Sequence, residues 1–152
     1  QLVLDAQYAA IEQVKPGHHW NAPHEAAIQV LTKGLVKLGI LKGRVPTLIK
    51  NEAYKPYYMH RTGHWLGMDV HDCAHARNEV YRHGPLLPGM VLTIEPGLYF
   101  QLDDLTVPKK YRGIGVRIED DVLVTAKGHR VLSDVPRDSD DVEAWMAELW
   151  AE

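Results

Sequence analysis

The first apolar positions of the chain, Leu2, Leu4, Ala6, Ala9, Ala10 and Val14, predict a helix that is already in progress at residue 1. That pattern fits two situations: residues upstream that continue the element, or an N-terminal helix that needs nothing before it. A turn at Lys15-Pro16-Gly17 closes it. Asn21-Ala22-Pro23 predicts the next start, with a capping side chain and a proline in the first turn. Ile28, Leu31, Leu35 and Leu38 then recur at steps of three and four, an amphipathic helix that stops at Gly39. Residues 41–58, broken by Pro46 and Pro56, read as a loop or a short helix.

Beyond residue 72 the period changes. "MVLTIE" (90–95) is a β-rich run between Pro88-Gly89 and Pro96-Gly97. "GVRIEDDVLVT" (115–125) predicts a second strand and "RVLSDVP" (130–136) a third. Asp140 to Trp150 predicts a final helix, with Ser139 as N-cap and Val142, Trp145, Met146 and Leu149 on one face. Helices first, strands next and a helix last predict an α+β domain, an antiparallel sheet with helices on one face.

Strand alternation places candidate chemistry. Thr93 and Glu95 share one face of their strand, and Arg117 and Glu119 share one face of theirs. Leu92, Ile94, Val116 and Ile118 point the other way, toward a core. The two carboxylates converge if both strands belong to one sheet. Between helices and strands lies "MHRTGHWLGMDVHDC" (59–73), with His60, His64 and His71 in fifteen residues. Gly63 and Gly67 oppose a helix here and leave the backbone at His64 free to bend, while Met68, Val70 and His71-Asp72 look extended. The stretch is not the helical zinc-protease motif, because Arg61 stands where its glutamate would be. Taken singly, each glutamate also reads as a surface residue and His64 as a structural one. The remaining histidines, His18, His19, His24, His75, His83 and His129, read as structural or surface residues. Together, one imidazole and two strand carboxylates form a nitrogen–oxygen ligand set suited to manganese, cobalt, zinc or iron.

Composition narrows the function classes. The chain has 152 residues, 45% hydrophobic and 24% charged, with a formal net charge of -3. Its densest basic cluster, Lys109-Lys110-Tyr111-Arg112, is too short to suggest nucleic acid. No apolar run approaches the roughly 20 residues of a membrane span. The single cysteine, Cys73, excludes an intrachain disulfide framework and a cysteine-built zinc site, and it fits a reducing, cytoplasmic compartment.

"GHWLGMDVHD", "TIEPGLY" and "GVRIEDDVLVT", in that order, resemble the catalytic domain of the aminopeptidase P (Xaa-Pro aminopeptidase) and prolidase group of pita-bread metallopeptidases. The resemblance runs from Gln1 to about Val135. It implies a curved antiparallel sheet with helices on one face, and His64, Glu95 and Glu119 as metal ligands, Glu95 serving also as general base. It further implies that His60 and His71 hold the substrate at the scissile bond, Arg117 binds the substrate end, and Trp65 and Tyr99 shape the pocket. The cofactor implied is a pair of divalent ions, manganese foremost with zinc or cobalt as alternatives, activating a hydroxide that attacks the bond before proline. The implied partner is a proline-containing peptide; neither nucleic acid nor membrane is expected.

Two aspartate ligands of that family precede the matched region, and Asp5, Asp69 and Asp72 do not match them. Residues 1–152 are therefore expected to form one incomplete catalytic domain, the second half of a pita-bread fold and inactive alone. An upstream half, or a homo-oligomer, would cover its open face. The competing expectation is a metal-free pita-bread-like module that binds protein.

Overall fold

The computed structural model describes residues 1–72 and 84–151; Cys73, His75 and His83 lie outside them. In chain order the elements are α1 (Leu2–Ile11), α2 (Ala22–Lys37), α3 (Val45–Lys50), β1 (Val91–Ile94), β2 (Gly97–Tyr99), a 3-10 turn (Lys109–Tyr111), β3 (Gly115–Arg117), β4 (Asp120–Val124), β5 (His129–Val131) and α4 (Ser139–Leu149). This is the expected α+β order. Among the described residues no helix is long and apolar enough to cross a membrane.

The helices form because their apolar stripes meet each other and the sheet. Val3, Ala6 and Ala10 of α1 share one core with Ile28, Leu31 and Leu35 of α2 and with Leu92, Ile94, Val122 and Val124 of the strands. Gly34 permits the close crossing of α1 and α2, since a β-carbon there would meet Leu2 Cδ1 at 2.3 Å. Past the end of α2, Gly39 takes φ +76°, Gly39 N donates to Val36 O and Ile40 N donates to Leu35 O. That pair of bonds stops a helix at a glycine. Asn21 does not cap α2 with its side chain; its Oδ1 accepts instead from Arg61 Nη2. At α4 the cap is Asp138 rather than Ser139, Oδ1 accepting from Asp140 N at 3.0 Å. The expected apolar face of α4 is not packed: Trp145, Met146 and Leu149 are exposed.

The largest difference from expectation lies in the strands. "GVRIEDDVLVT" forms two strands, β3 and β4, and "MVLTIE" is followed by a separate strand, β2. The sheets are β1-β4-β5 and β2-β3, both antiparallel. Val116, expected in the core, is exposed. The two ladders nevertheless share one register: Ile94 pairs with Asp120, and Gly97 pairs with Arg117. Glu95 therefore falls opposite Glu119, and Pro96 opposite Ile118. Pro96 has no N–H to donate, so the ladder lapses there. Only Ile118 N donates across the gap, to Pro96 O at 3.4 Å.

A further stretch lies along β1 without counting as a regular strand. Leu66 N donates to Val91 O (3.1 Å), Thr93 N to His64 O (2.9 Å) and Glu95 N to Thr62 O (2.7 Å). Residues 62–66 thus extend the sheet edge. Met68, Val70 and His71, expected to be extended together with Asp72, lie instead in a run of bends over 67–71, with Met68 and Val70 exposed.

Candidate metal centre

Backbone pairing brings the ligand candidates together. The edge stretch sets His64 beside β1, and the lapse in the ladder leaves Glu95 and Glu119 facing each other. One ligand atom from each of His64, Glu95 and Glu119 lies within 4.8 Å of the others. His64 and Glu95 are partly buried, whereas Glu119 is exposed.

Gly63 acts by having no side chain, not by flexibility. A β-carbon there would sit 1.9 Å from Thr93 O. Its absence lets the chain lie against β1 and fixes His64. Thr93 is buried and holds both sides of the site. Its Oγ1 accepts from His64 N at 3.0 Å and donates to Glu95 Oε1 at 3.1 Å.

The tautomer of His64 follows from its partners. Nδ1 is 3.0 Å from Trp65 O, a carbonyl that can only accept, so Nδ1 carries the hydrogen. In the neutral ring, Nε2 then presents a lone pair to Glu95 Oε1 at 3.3 Å. Two acceptors face each other, and a cation between them, or a proton on the imidazole, resolves the repulsion. The carboxylates add to this. Partial desolvation, then the neighbouring Glu95 charge, push the Glu119 carboxyl above its usual range, against the pull of Arg117 and His64. Facing like charges in a sheet cost free energy unless a cation neutralises them. The donor set and its charge thus fit a divalent ion.

The other expected residues surround this trio in part. Arg117 Nε lies 3.9 Å from Glu95 Oε2. The His71 ring meets the His64 ring edge-on, with centroids 4.3 Å apart. His60 Nδ1 donates to Arg61 O at 2.7 Å, so its Nε2 accepts from the Tyr99 hydroxyl at 2.8 Å. Tyr99 folds over Gly97, where a β-carbon would meet the hydroxyl oxygen at 2.5 Å. Trp65, expected to shape a pocket, packs on Trp20 with centroids 4.1 Å apart and joins the core.

Several supporting residues escape the sequence reading. Gln7 lies on the apolar stripe of α1, and Asp120 occupies an inward position of β4; a polar residue in an apolar pattern is the signal for both. His24, read as structural or surface, belongs to a buried chain in which Tyr58 Oη is 2.5 Å and His24 Nδ1 2.8 Å from Thr62 Oγ1. Burial, assisted by Arg61, His60 and Lys55, lowers His24 from 6.5 to about 4. Between those values the unfolded chain binds a proton that the folded one refuses. This stabilising contribution is complete above pH 6.5 and is lost as pH falls toward 4, about 3 kcal/mol in all. Urea unfolding from pH 7 to 4 should show that loss, and His24→Gln should flatten it. Equal slopes for the two proteins would exclude His24 as the source.

Known proteins resemble the chain over most of its length. Residues 1–126 match the model of metallopeptidase family M24. The chain is 57% identical over 148 residues to Xaa-Pro aminopeptidase 1 of Streptomyces coelicolor, covering 97% of this chain and 30% of that protein. It is 48% identical to the Xaa-Pro aminopeptidase of Haemophilus influenzae, covering 96% and 34%. Among solved structures, Pseudomonas aeruginosa aminopeptidase PepP superposes with a TM-score of 0.93 at 54% identity, over 99% of this chain and 34% of that one. Escherichia coli aminopeptidase P with the inhibitor Pro-Leu gives 0.90 at 40%, over 99% and 34%. The chain thus spans about a third of the length of the relatives it matches.

Proposed function

The chain belongs to metallopeptidase family M24 and has the pita-bread fold of its aminopeptidase P relatives, and on that footing we propose that it supplies part of the catalytic centre of a Xaa-Pro aminopeptidase. The observation that carries the proposal is the trio His64, Glu95 and Glu119, whose lone pairs and charges face one another across a lapse in the sheet. These three residues would hold a divalent ion, manganese in our reading. When bound, such an ion lowers the pKa of water and polarises a carbonyl.

The chain's own residues do the rest. Thr93 and Arg117 orient Glu95. Glu95 Oε1 faces His64, so Oε2, beside Arg117 Nε, is the atom that would take a proton from the attacking water and pass it to the proline nitrogen as the Xaa-Pro bond breaks. With its own hydrogen given to His60, the Tyr99 hydroxyl keeps an oxygen lone pair for a substrate N–H, and His71 would offer a ring N–H to the peptide backbone of a proline-containing substrate. Two further acidic ligands from an upstream part of the domain would complete a two-ion site, since the charges of two divalent ions exceed what Glu95 and Glu119 balance. We therefore read residues 1–152 as one incomplete catalytic domain.

The test is metal binding and Xaa-Pro hydrolysis by the chain alone, and again with an upstream segment and Mn²⁺. The chain alone should bind metal weakly and cleave nothing, and the combination should cleave. Hydrolysis by the 152-residue chain alone would overturn the incompleteness. A complete domain that neither binds metal nor cleaves would replace the enzyme reading with a protein-binding module.

A further inference from the structure

Behind the two carboxylates, on the core side, lies a cluster that the proposed chemistry does not use. Gln7 is fully buried on α1. Its Nε2 donates to Asp120 Oδ2 at 2.8 Å and reaches Ile94 O at 3.4 Å. Ile94 precedes Glu95, Asp120 follows Glu119, and the two are register partners. Arg137, in the segment after β5, brings Nε to the same Asp120 oxygen at 2.8 Å. Asp120 is 1% exposed.

Fold stability alone does not account for this cluster. Gln7 Oε1, Asp120 Oδ1 and Arg137 Nε are buried with no well-directed hydrogen bond among the described residues, the Arg137 contact being an ion pair. Well-packed apolar side chains of similar volume often stabilise a core as well or better than a buried ion pair. The position is what distinguishes it. The cluster ties α1 to both strands at the step where the ladder lapses and where facing carboxylates push the strands apart. We propose that Gln7, Asp120 and Arg137 form a positioning clamp that fixes the separation of Glu95 and Glu119. The inference rests on the metal-site reading only for its consequence, metal affinity.

Two readouts on the 152-residue chain test it. Gln7→Met keeps the volume and removes the donor. Val14→Ala, in the core away from the strand lapse, serves as a control for lost stability. Visible absorption of added Co²⁺ reports metal affinity, and amide hydrogen exchange reports the strands without metal. Gln7→Met should weaken Co²⁺ binding about tenfold, in the range seen when residues that orient ligands are lost. It should also speed exchange at Glu95 and Ile118 about tenfold relative to Val124, whose amide pairs with Met90 O. Val14→Ala should do neither. Unchanged values in Gln7→Met, or equal changes in both variants, would overturn the clamp. A wild-type chain that binds no Co²⁺ would sink the metal reading instead, and the exchange pattern would still decide the clamp. If Gln7→Met fails to fold, Asp120→Asn, of the same shape, takes its place in both measurements.

Discussion

Glu119→Gln should stabilise the metal-free chain and cripple its metal binding, two effects of opposite sign from one atom exchange. Glu119 faces Glu95 in register, and its carboxyl is held above the usual range. A raised carboxyl makes the ionised form unfavourable in the folded state. The sign follows: the penalty is absent below the ordinary value of 4.5 and complete once pH exceeds the folded value. Removing the charge should therefore raise stability at pH 7 by about 0.5 kcal/mol, small because Glu119 is exposed and screened. The melting temperature should rise by roughly 1–2 °C at pH 7 and not at pH 4. Metal affinity should fall by more than about 100-fold, since a direct ligand counts for more than a residue that orients one. Melting scans with and without Mn²⁺ read both effects. A variant that is less stable without metal, or equally stabilised by it, would show that Glu119 is an ordinary surface residue. Groups poised for function commonly lower stability in this way.

Gly63→Ala should have the largest structural effect of any single methyl added near the site. The new carbon would lie 1.9 Å from Thr93 O, a backbone atom of β1 that cannot turn aside. Either residues 62–66 leave the sheet edge or β1 shifts into the core. We expect a loss of about 3 kcal/mol or more, a fall of roughly 6–12 °C in melting temperature, and loss of the metal response because His64 moves with the edge. Gly128→Ala is the control, as a β-carbon there has nothing within 4 Å. If the two variants melt alike, the close approach does not exist in solution.

How much of this was legible beforehand depends on the kind of information. Local periodicity located α1, α2 and α4, because each helix follows from residues near in sequence. It placed His64, Glu95 and Glu119 as candidates because alternation aims Glu95 and Glu119 to one side of their strands. It could not show that "GVRIEDDVLVT" breaks in two, since nothing between Arg117 and Asp120 marks a stop; the interruption comes from Pro96 on the opposing strand. Val116 keeps the parity of Ile118 and Val122 across that break, so alternation gives its side of the strand but not that this side is exposed there. The α4 face was misjudged because amphipathic spacing tells which side of a helix is apolar, not whether anything covers it. Gly63 was read as flexible when its function is clearance, a property of the strand packed against it. Gln7 and Asp120 were passed over because each is meaningful only through a partner 113 residues away.

The shared register of the two ladders also divides the chain by its tolerance to length change. Glu95 and Glu119 belong to one hairpin, and residues 100–114 that join its arms lie beyond the Tyr99–Gly115 pair. Within it Phe100 still bonds Ile114 and Gly113 and Val107 is fully buried, so only the largely exposed stretch 101–106 can gain or lose residues at little cost, closure entropy growing only slowly with loop length. Within the arms there is no such freedom. One residue inserted between Pro96 and Tyr99 would turn Glu95 away from Glu119, or turn Leu98 out of the core, because a step of one reverses every side chain in a strand. Variation in length among proteins built on this hairpin should therefore collect between Phe100 and Val107 and stop abruptly at those two buried residues.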